Sequence, residues 1–267
     1  MKNSQIEWTD HTFNPWMGCT KISPGCLNCY AARQTNVWQH GRVVWGPSGT
    51  RVRTKPDYWK NPRKWNREAQ RAETRLRVFC ASLADVFEDG WDETLDPIRR
   101  DLFVLIKETP HLDWLLLTKR PEQIAPTLER LGLPNDYFLS LGNVWLGTTV
   151  EDQPRATLRV PILTEVPAVV HFLSCEPLLG SIPDLPLDDI EWVIAGGESG
   201  PGARPMEADW AREVRDQCLA AGVGFHFKQW GGVRKNETGR TLDGQTWDQF
   251  PTTQAPLVGK MTMEDLW

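Results

Sequence analysis

Arg77-Val-Phe-Cys-Ala-Ser82-Leu-Ala-Asp85 opens on a short, almost continuous apolar run and then turns abruptly polar. Such a run reads as a strand buried on both faces, the habit of parallel sheets. The pattern recurs at Asp113-Trp-Leu-Leu-Leu-Thr118, Asn143-Val-Trp-Leu-Gly-Thr148, Val169-Val-His-Phe-Leu-Ser174, Trp192-Val-Ile-Ala195 and Gly224-Phe-His-Phe-Lys-Gln229. Helical periodicity fits Glu93–Glu108, Pro121–Leu131, Gln153–Arg159 and Asp209–Ala221 between them, and Pro62–Leu76 ahead of the first strand. Asp209 reads as the N-cap of the last of these, and Gly222 as its stop. Strand–helix alternation predicts an α/β fold, a partial (β/α) barrel of about six parallel strands. A short strand around Phe13–Met17 would add one more. The expected organisation is a barrel domain over residues 1–230, with a basic insertion at 42–77, and a small C-terminal appendage over 231–267. Within that appendage Arg240–Phe250 reads as a hairpin, and Leu178–Glu191 reads as a Pro- and Asp-rich surface loop.

Barrels and open sheets place their sites at the carboxyl ends of strands. Here the six ends carry Ser82 and Asp85; Thr118, Lys119 and Arg120; Thr148, Thr149 and Glu151; Ser174 and Glu176; Gly196, Gly197 and Glu198; and Lys228 and Gln229. Single polar residues after strands often cap helices or make turns. Lys119, Arg120, Glu176 and Lys228 are poor capping residues, so the rim as a whole predicts a ligand site. Lys119, Arg120, Glu176, Glu198 and Lys228 are its candidate catalytic groups. The loop from Gly196 to Gly200 is a candidate anion nest, but it matches neither a dinucleotide fingerprint nor a P-loop.

The chain has 267 residues, 40% hydrophobic, with a net charge of −5, which suits a soluble barrel-sized domain. No apolar stretch reaches membrane-span length, and the first residues lack the apolar core of a signal peptide. A reducing cytoplasm is therefore expected, where clustered cysteines bind metal or do chemistry. Cys80, Cys175 and Cys218 stand alone in apolar surroundings and read as core. His171 and His226 lie within strands and read the same way. Arg42–Arg77 holds eleven Lys/Arg against three Asp/Glu, interleaved with Trp45, Tyr58, Trp59 and Trp65. That composition suits a nucleic-acid or nucleotide partner. It equally suits a solvated helix with its tryptophans turned into the core.

Cys19, Cys26 and Cys29 stand on one loop, spaced C-x6-C-x2-C. Structural zinc sites and ordinary iron–sulfur clusters close with four protein ligands. Three leave one coordination position open. A zinc-stabilised nucleic-acid-binding protein is the competing reading, with a histidine such as His11 as fourth ligand, but no second C-x2-C or H-x3-H pair exists. A metal-free hydrolase with Glu176 and Glu198 as its acid–base pair would leave the cysteines without a role.

Three cysteines near the N-terminus followed by a parallel barrel with a polar rim resemble the radical S-adenosylmethionine (SAM) superfamily. The chain also resembles a phage- and prophage-associated family of uncharacterised three-cysteine-motif proteins. That resemblance rests on Ile6–Asp10, Thr12–Pro15, Gly18–Ala31, Leu117–Pro121, Leu146–Glu151, Ser174–Leu178, Gly196–Gly200 and Phe227–Gly231. The superfamily resemblance implies a [4Fe–4S] cluster on Cys19, Cys26 and Cys29, with SAM on the open iron and hydrogen abstraction from a substrate. An electron donor is then needed, and a partner protein is admissible. Strand order would put Ser82 and Asp85 at the methionyl amino group, Thr148, Glu151 and Ser174 at the ribose, and Gly196 and Gly197 at the adenine. Two features depart from the commonest pattern. The loop is three residues longer than C-x3-C-x2-C, and Asn28 stands where an aromatic residue usually precedes the last cysteine. Tyr30, just after it, is the available aromatic.

Overall fold

The computed structural model describes residues 4–38 and 42–251. Seven parallel strands form one curved half-barrel sheet: β1 (His11–Thr12), β4 (Leu76–Cys80), β5 (Leu112–Thr118), β6 (Val144–Thr149), β7 (Val170–Cys175), β8 (Trp192–Gly196) and β9 (Gly224–Gln229), neighbours in that order. Between β1 and β4 the chain makes β2 (Trp16–Met17), α1 (Tyr30–Trp38), β3 (Val52–Arg53) and α2 (Asn61–Arg71). The crossovers that follow are α3 (Asp92–Lys107), α4 (Ile124–Leu131) with α5 (Tyr137–Leu141), α6 (Gln153–Thr164) and α7 (Ala208–Ala221). After β9 come α8 (Lys235–Thr238) and the hairpin β10 (Thr241–Leu242) and β11 (Gln245–Thr246).

The strands alternate between two cores, as a period of two requires. Val78, Cys80, Trp114, Leu116 and Leu146 face the helices. Phe79, Leu115, Trp145, Phe172 and Trp192 face the concave side, where Trp8 packs among them. Residues of the N-terminal segment thus fill the barrel's lower interior, and what remains open lies above, at the carboxyl ends. Gly147 on β6 makes this packing possible, because a Cβ there would stand 2.4 Å from the Phe172 ring. Cys80, Cys175 and Cys218 are fully buried, and His171 and His226 are buried as expected.

Several boundaries differ from the expectation. The first barrel strand is His11–Thr12, paired in parallel with Val78 and Phe79, rather than Phe13–Met17. Trp16 and Met17 pair antiparallel with Arg53 and Val52, outside the main sheet. α2 stops at Arg71, and Leu76 already belongs to β4. α6 runs through Pro161 to Thr164, because buried Val160 and Leu163 outweigh the hydrogen bond the proline forfeits. Asp209 lies in the first turn of α7, one position inside a helix that begins at Ala208. The 178–191 connection is more than a surface loop, since Leu178, Ile182, Leu185 and Ile190 are buried.

The hairpin expected in 240–250 is present, and its far strand leads back onto the sheet. Phe227 N–H donates to Trp247 O at 2.9 Å and Gln249 N–H to Phe225 O at 3.2 Å, so residues 247–249 cover the edge of β9. The part of the expected appendage beyond residue 251 lies outside the described residues.

Candidate functional site

The strand ends enclose a cavity of about 650 Å³, and Cys19, Cys26 and Cys29 all line it. The loop that carries them is held from below. Its stem is the β2–β3 pairing. Gly18 then turns with φ +108, and a Cβ there would lie 2.3 Å from Thr50 O. Thr20 N–H donates to Glu88 Oε1 at 2.7 Å, and Arg51 donates to Thr20 Oγ1 at 2.8 Å. Arg51 and Glu88 form an ion pair whose two side chains are wholly buried, with the guanidinium 4.3 Å over Trp91. Gly25 permits a second close approach, since a Cβ there would meet Glu151 Oε1 at 2.5 Å.

Arg120, from the end of β5, is the brace between barrel and loop. It donates to Asp85 Oδ2 at 3.1 Å, Thr20 O at 2.9 Å and, more loosely, Cys19 Sγ at 3.8 Å. Asp85 also accepts from Thr118 Oγ1 at 2.7 Å and from Lys119 N–H at 3.1 Å. Burial pushes the Cys19 thiol well up, as do the charges of Asp85 and Glu88, against the pull of Arg120. Cys26 is half-buried, which opposes ionisation. The Lys119 charge and hydrogen bonds from Ile22 and Ser23 outweigh burial there, so its thiol lies below the ordinary range.

Among the described residues, no three His, Cys, Asp or Glu side chains stand close enough to hold a single metal ion. A cubane cluster asks for something different, one thiolate per iron around a larger group. Cys19, Cys26 and Cys29 all line the cavity, two of them within hydrogen-bond or charge reach of cations, and thiols are the donors such a cluster takes. His11 does not line the cavity; it is buried and stacks on Trp65 with centroids 4.3 Å apart.

Of the rim residues expected from the sequence, Tyr30, Ser82, Asp85, Ser174 and Gly197 share the cavity with the cysteines. So do Lys119, Arg120, Glu176, Glu198 and Lys228. Thr148, Glu151 and Gly196 are not part of its lining. Thr148 is wholly buried and donates to Thr118 O at 3.0 Å. Glu151 is wholly buried, pairs with Arg159 at 2.8 Å and accepts a hydrogen bond from Ser23 Oγ. Gly196 serves by having no side chain, since a Cβ there would stand 3.0 Å from Glu176 Oε1. Across that gap Glu176 pairs with Lys228 at 2.7 Å. Its neighbour Gly197 spends its N–H on Gln229 O at 3.0 Å.

Glu198 pairs with Arg204 and accepts from Asn28 Nδ2 at 2.9 Å. Burial opposes its charge, but hydrogen bonds from Arg204 and Asn28 hold its carboxyl down at about 2. Held this way, Glu198 suits ion pairing better than proton donation.

The basic segment resolves toward the core. Trp59 and Trp65 are 8% and 3% exposed, and the Trp59 indole N–H donates to Thr54 Oγ1 at 3.0 Å. Neither presents a face to a base, so the stacking role expected there is lost. Arg51 is buried with Glu88, Arg53 pairs with Asp101, Arg63 with Glu108, Arg75 with Asp113 and Arg77 with Asp10. Much of the segment's charge is thus already matched within the fold. Trp45 alone of the four aromatics lines the cavity.

Sequence reasoning missed Glu88, Arg51, Arg204 and Asn28. Arg51 and Glu88 lie 37 residues apart and Asn28 lies 170 from Glu198, beyond the reach of periodicity; Arg204 follows Glu198 by six residues, on a loop without a period. The one available signal was the density of acids in Asp85-Val-Phe-Glu88-Asp89 directly after a strand end.

A protein-family model, described as "Protein of unknown function (DUF5131)", matches residues 3–251. The chain belongs to that family. The match spans the sheet, the cysteine loop and the hairpin, so the family's unit is the whole described fold. No curated protein matches the chain.

Proposed function

We propose that this protein is a radical SAM-type enzyme acting on a substrate held in the half-barrel. One observation carries the reading: three cysteine thiols stand on the wall of a cavity at the carboxyl ends of a parallel sheet, with an acid–base rim around them. The resemblance of the sequence to a phage-associated three-cysteine family and to the radical SAM superfamily supports it. Cys19, Cys26 and Cys29 would hold a [4Fe–4S] cluster. When bound, that cluster supplies an electron that cleaves SAM to methionine and a 5′-deoxyadenosyl radical able to take a hydrogen atom from the substrate.

The chain's own residues do the positioning. Arg120 fixes Cys19 and Asp85 together, and Lys119 offsets thiolate charge at Cys26. Asp85, oriented by four donors including Phe87 N–H, would accept from SAM's amino group. Glu176 and Lys228 form the polar wall across the cavity, and the Trp8–Phe79–Trp192 packing closes the bottom to water. An electron donor completes the requirement, and a reducing compartment suits the thiols.

Anaerobic reconstitution with iron and sulfide tests the reading. About four irons per chain are expected, lost on Cys19→Ala, Cys26→Ala or Cys29→Ala and kept on Cys80→Ala, Cys175→Ala or Cys218→Ala. Reduced, loaded protein should release 5′-deoxyadenosine from SAM. Uptake of a single zinc, or SAM turnover no faster than in iron-free protein, refutes it.

A further inference from the structure

The charges lining the cavity do not balance. Its cations are Lys21, Arg33, Lys119, Arg120 and Lys228. Arg120 is matched by Asp85 at 3.1 Å and Lys228 by Glu176 at 2.7 Å. The remaining acid of the lining, Glu198, is taken by Arg204. Lys21, Arg33 and Lys119 donate only to neutral oxygens: Leu27 O at 2.9 Å, Pro201 O at 2.7 Å and Thr149 Oγ1 at 3.1 Å. Among the described residues none of the three has a carboxylate within ion-pair distance. Lys119 acts on Cys26, so its charge has a use. Lys21 and Arg33 stand further out, on the cysteine loop and on α1, and are left over. Uncompensated cations around a cavity, in a chain of net charge −5, favour an anion there.

Two further features narrow the anion. Tyr30 lies three residues before Arg33 on α1, hence on the same helix face, and is 48% exposed. An exposed ring beside a cation suits a base next to a phosphate. Inside, Glu176 and Lys228 set an acceptor and a donor side by side on the wall, both largely buried. A nucleobase edge presents donor and acceptor in the same way, and enzymes that act on a base read it there.

We infer that the substrate is a nucleotide, its phosphate held at the cavity mouth by Lys21 and Arg33 and its base directed toward Glu176 and Lys228. The inference rests on the enzyme reading above and gives it a substrate class. It moves nucleic-acid contact from the 42–77 segment to the cysteine loop and α1.

The test uses the full chain, reconstituted anaerobically, with SAM present. The probes are mixed-sequence single-stranded DNA, single-stranded RNA, thymidine 5′-monophosphate and polyglutamate. A nucleotide probe should bind, and Lys21→Glu with Arg33→Glu should weaken it about tenfold or more. For an oligonucleotide the salt slope should flatten by about 0.7, the value for one neutralised phosphate in single strands. Lys64→Glu with Arg67→Glu, on the outer face of α2, should change neither quantity. Glu176→Gln should weaken binding without altering the slope. Binding of strands alone identifies nucleic acid as the source of the nucleotide, and equal binding of the monophosphate identifies the free nucleotide. Failure of every nucleotide probe, equal binding of polyglutamate, displacement by SAM, or an unchanged Lys21/Arg33 variant overturns the inference. Iron content and 5′-deoxyadenosine release, measured on the same samples, report separately. Protein that loads iron and cleaves SAM but ignores nucleotides refutes this substrate class and leaves the enzyme reading standing.

Discussion

Replacing Arg51 by Met would take the nearest cation from Glu88, a side chain with no solvent exposure, and leave it only Arg120, at 4.0 Å, among the described residues. Removing one member of a buried ion pair costs roughly 3–5 kcal/mol, because the survivor stays desolvated without its partner. Domains near this size lose about 2–4 °C per kcal/mol, so the melting temperature should fall by about 6–20 °C. Arg51→Met combined with Glu88→Gln removes the stranded charge and keeps an acceptor for Thr20 N–H. It should regain most of the loss. Urea titration followed by tryptophan fluorescence measures both variants. Iron uptake should drop in the single variant, because Thr20, next to Cys19, loses its Arg51 bond. A single variant within about 1 kcal/mol of wild type, as an exposed pair would give, refutes the reasoning. So does a double variant no more stable than the single one.

Three other outcomes follow from the geometry. Burial pulls the His226 imidazole down to about 4, and neither ring nitrogen makes a hydrogen bond among the described residues. The unfolded chain takes up that proton below about pH 6.5 and the folded one only near pH 4. Stability from this site is therefore complete above pH 6.5 and drains as pH falls toward 4; His226→Phe should flatten that part of the pH–stability curve, and an unchanged slope would refute it. Gly25→Ala drives a Cβ against Glu151, which Arg159 and Ser23 hold in place, so iron uptake should fall. Shortening the acid with Glu151→Asp should restore it, and full uptake by Gly25→Ala alone would contradict the packing. Gly196→Val should part Glu176 from Lys228 and weaken nucleotide binding while iron content stays at the wild-type level; equal losses of both would mean that the strand itself has been disrupted.

The six long strands were legible because burial on both faces writes an unbroken apolar run, and the polar rim because each run stops at a charged or hydroxylic residue. β1 was misplaced by a few residues because two paired residues carry no period. The expected helix stopped at Arg159, whereas α6 runs through Pro161 to Thr164, because local periodicity says nothing of the packing around Val160 and Leu163. The arginines of the basic segment looked like a surface charge run for the same reason. Composition shows the sign of Arg51 and not the acid that waits 37 residues later. Likewise Glu151 sits at a strand end as expected, yet folds back to hold Arg159 and the cysteine loop instead of facing the cavity.

Arg120 follows Cys19 by 101 residues. Ribosomes extend chains at about 5–20 residues per second, so the loop emerges about 5–20 s before the guanidinium that braces it. Asp85 and Glu88 come late as well. During that interval the three thiols belong to a nascent, unbraced peptide, open to oxidants and stray ions. On the cluster reading proposed above, loading would wait for the finished barrel.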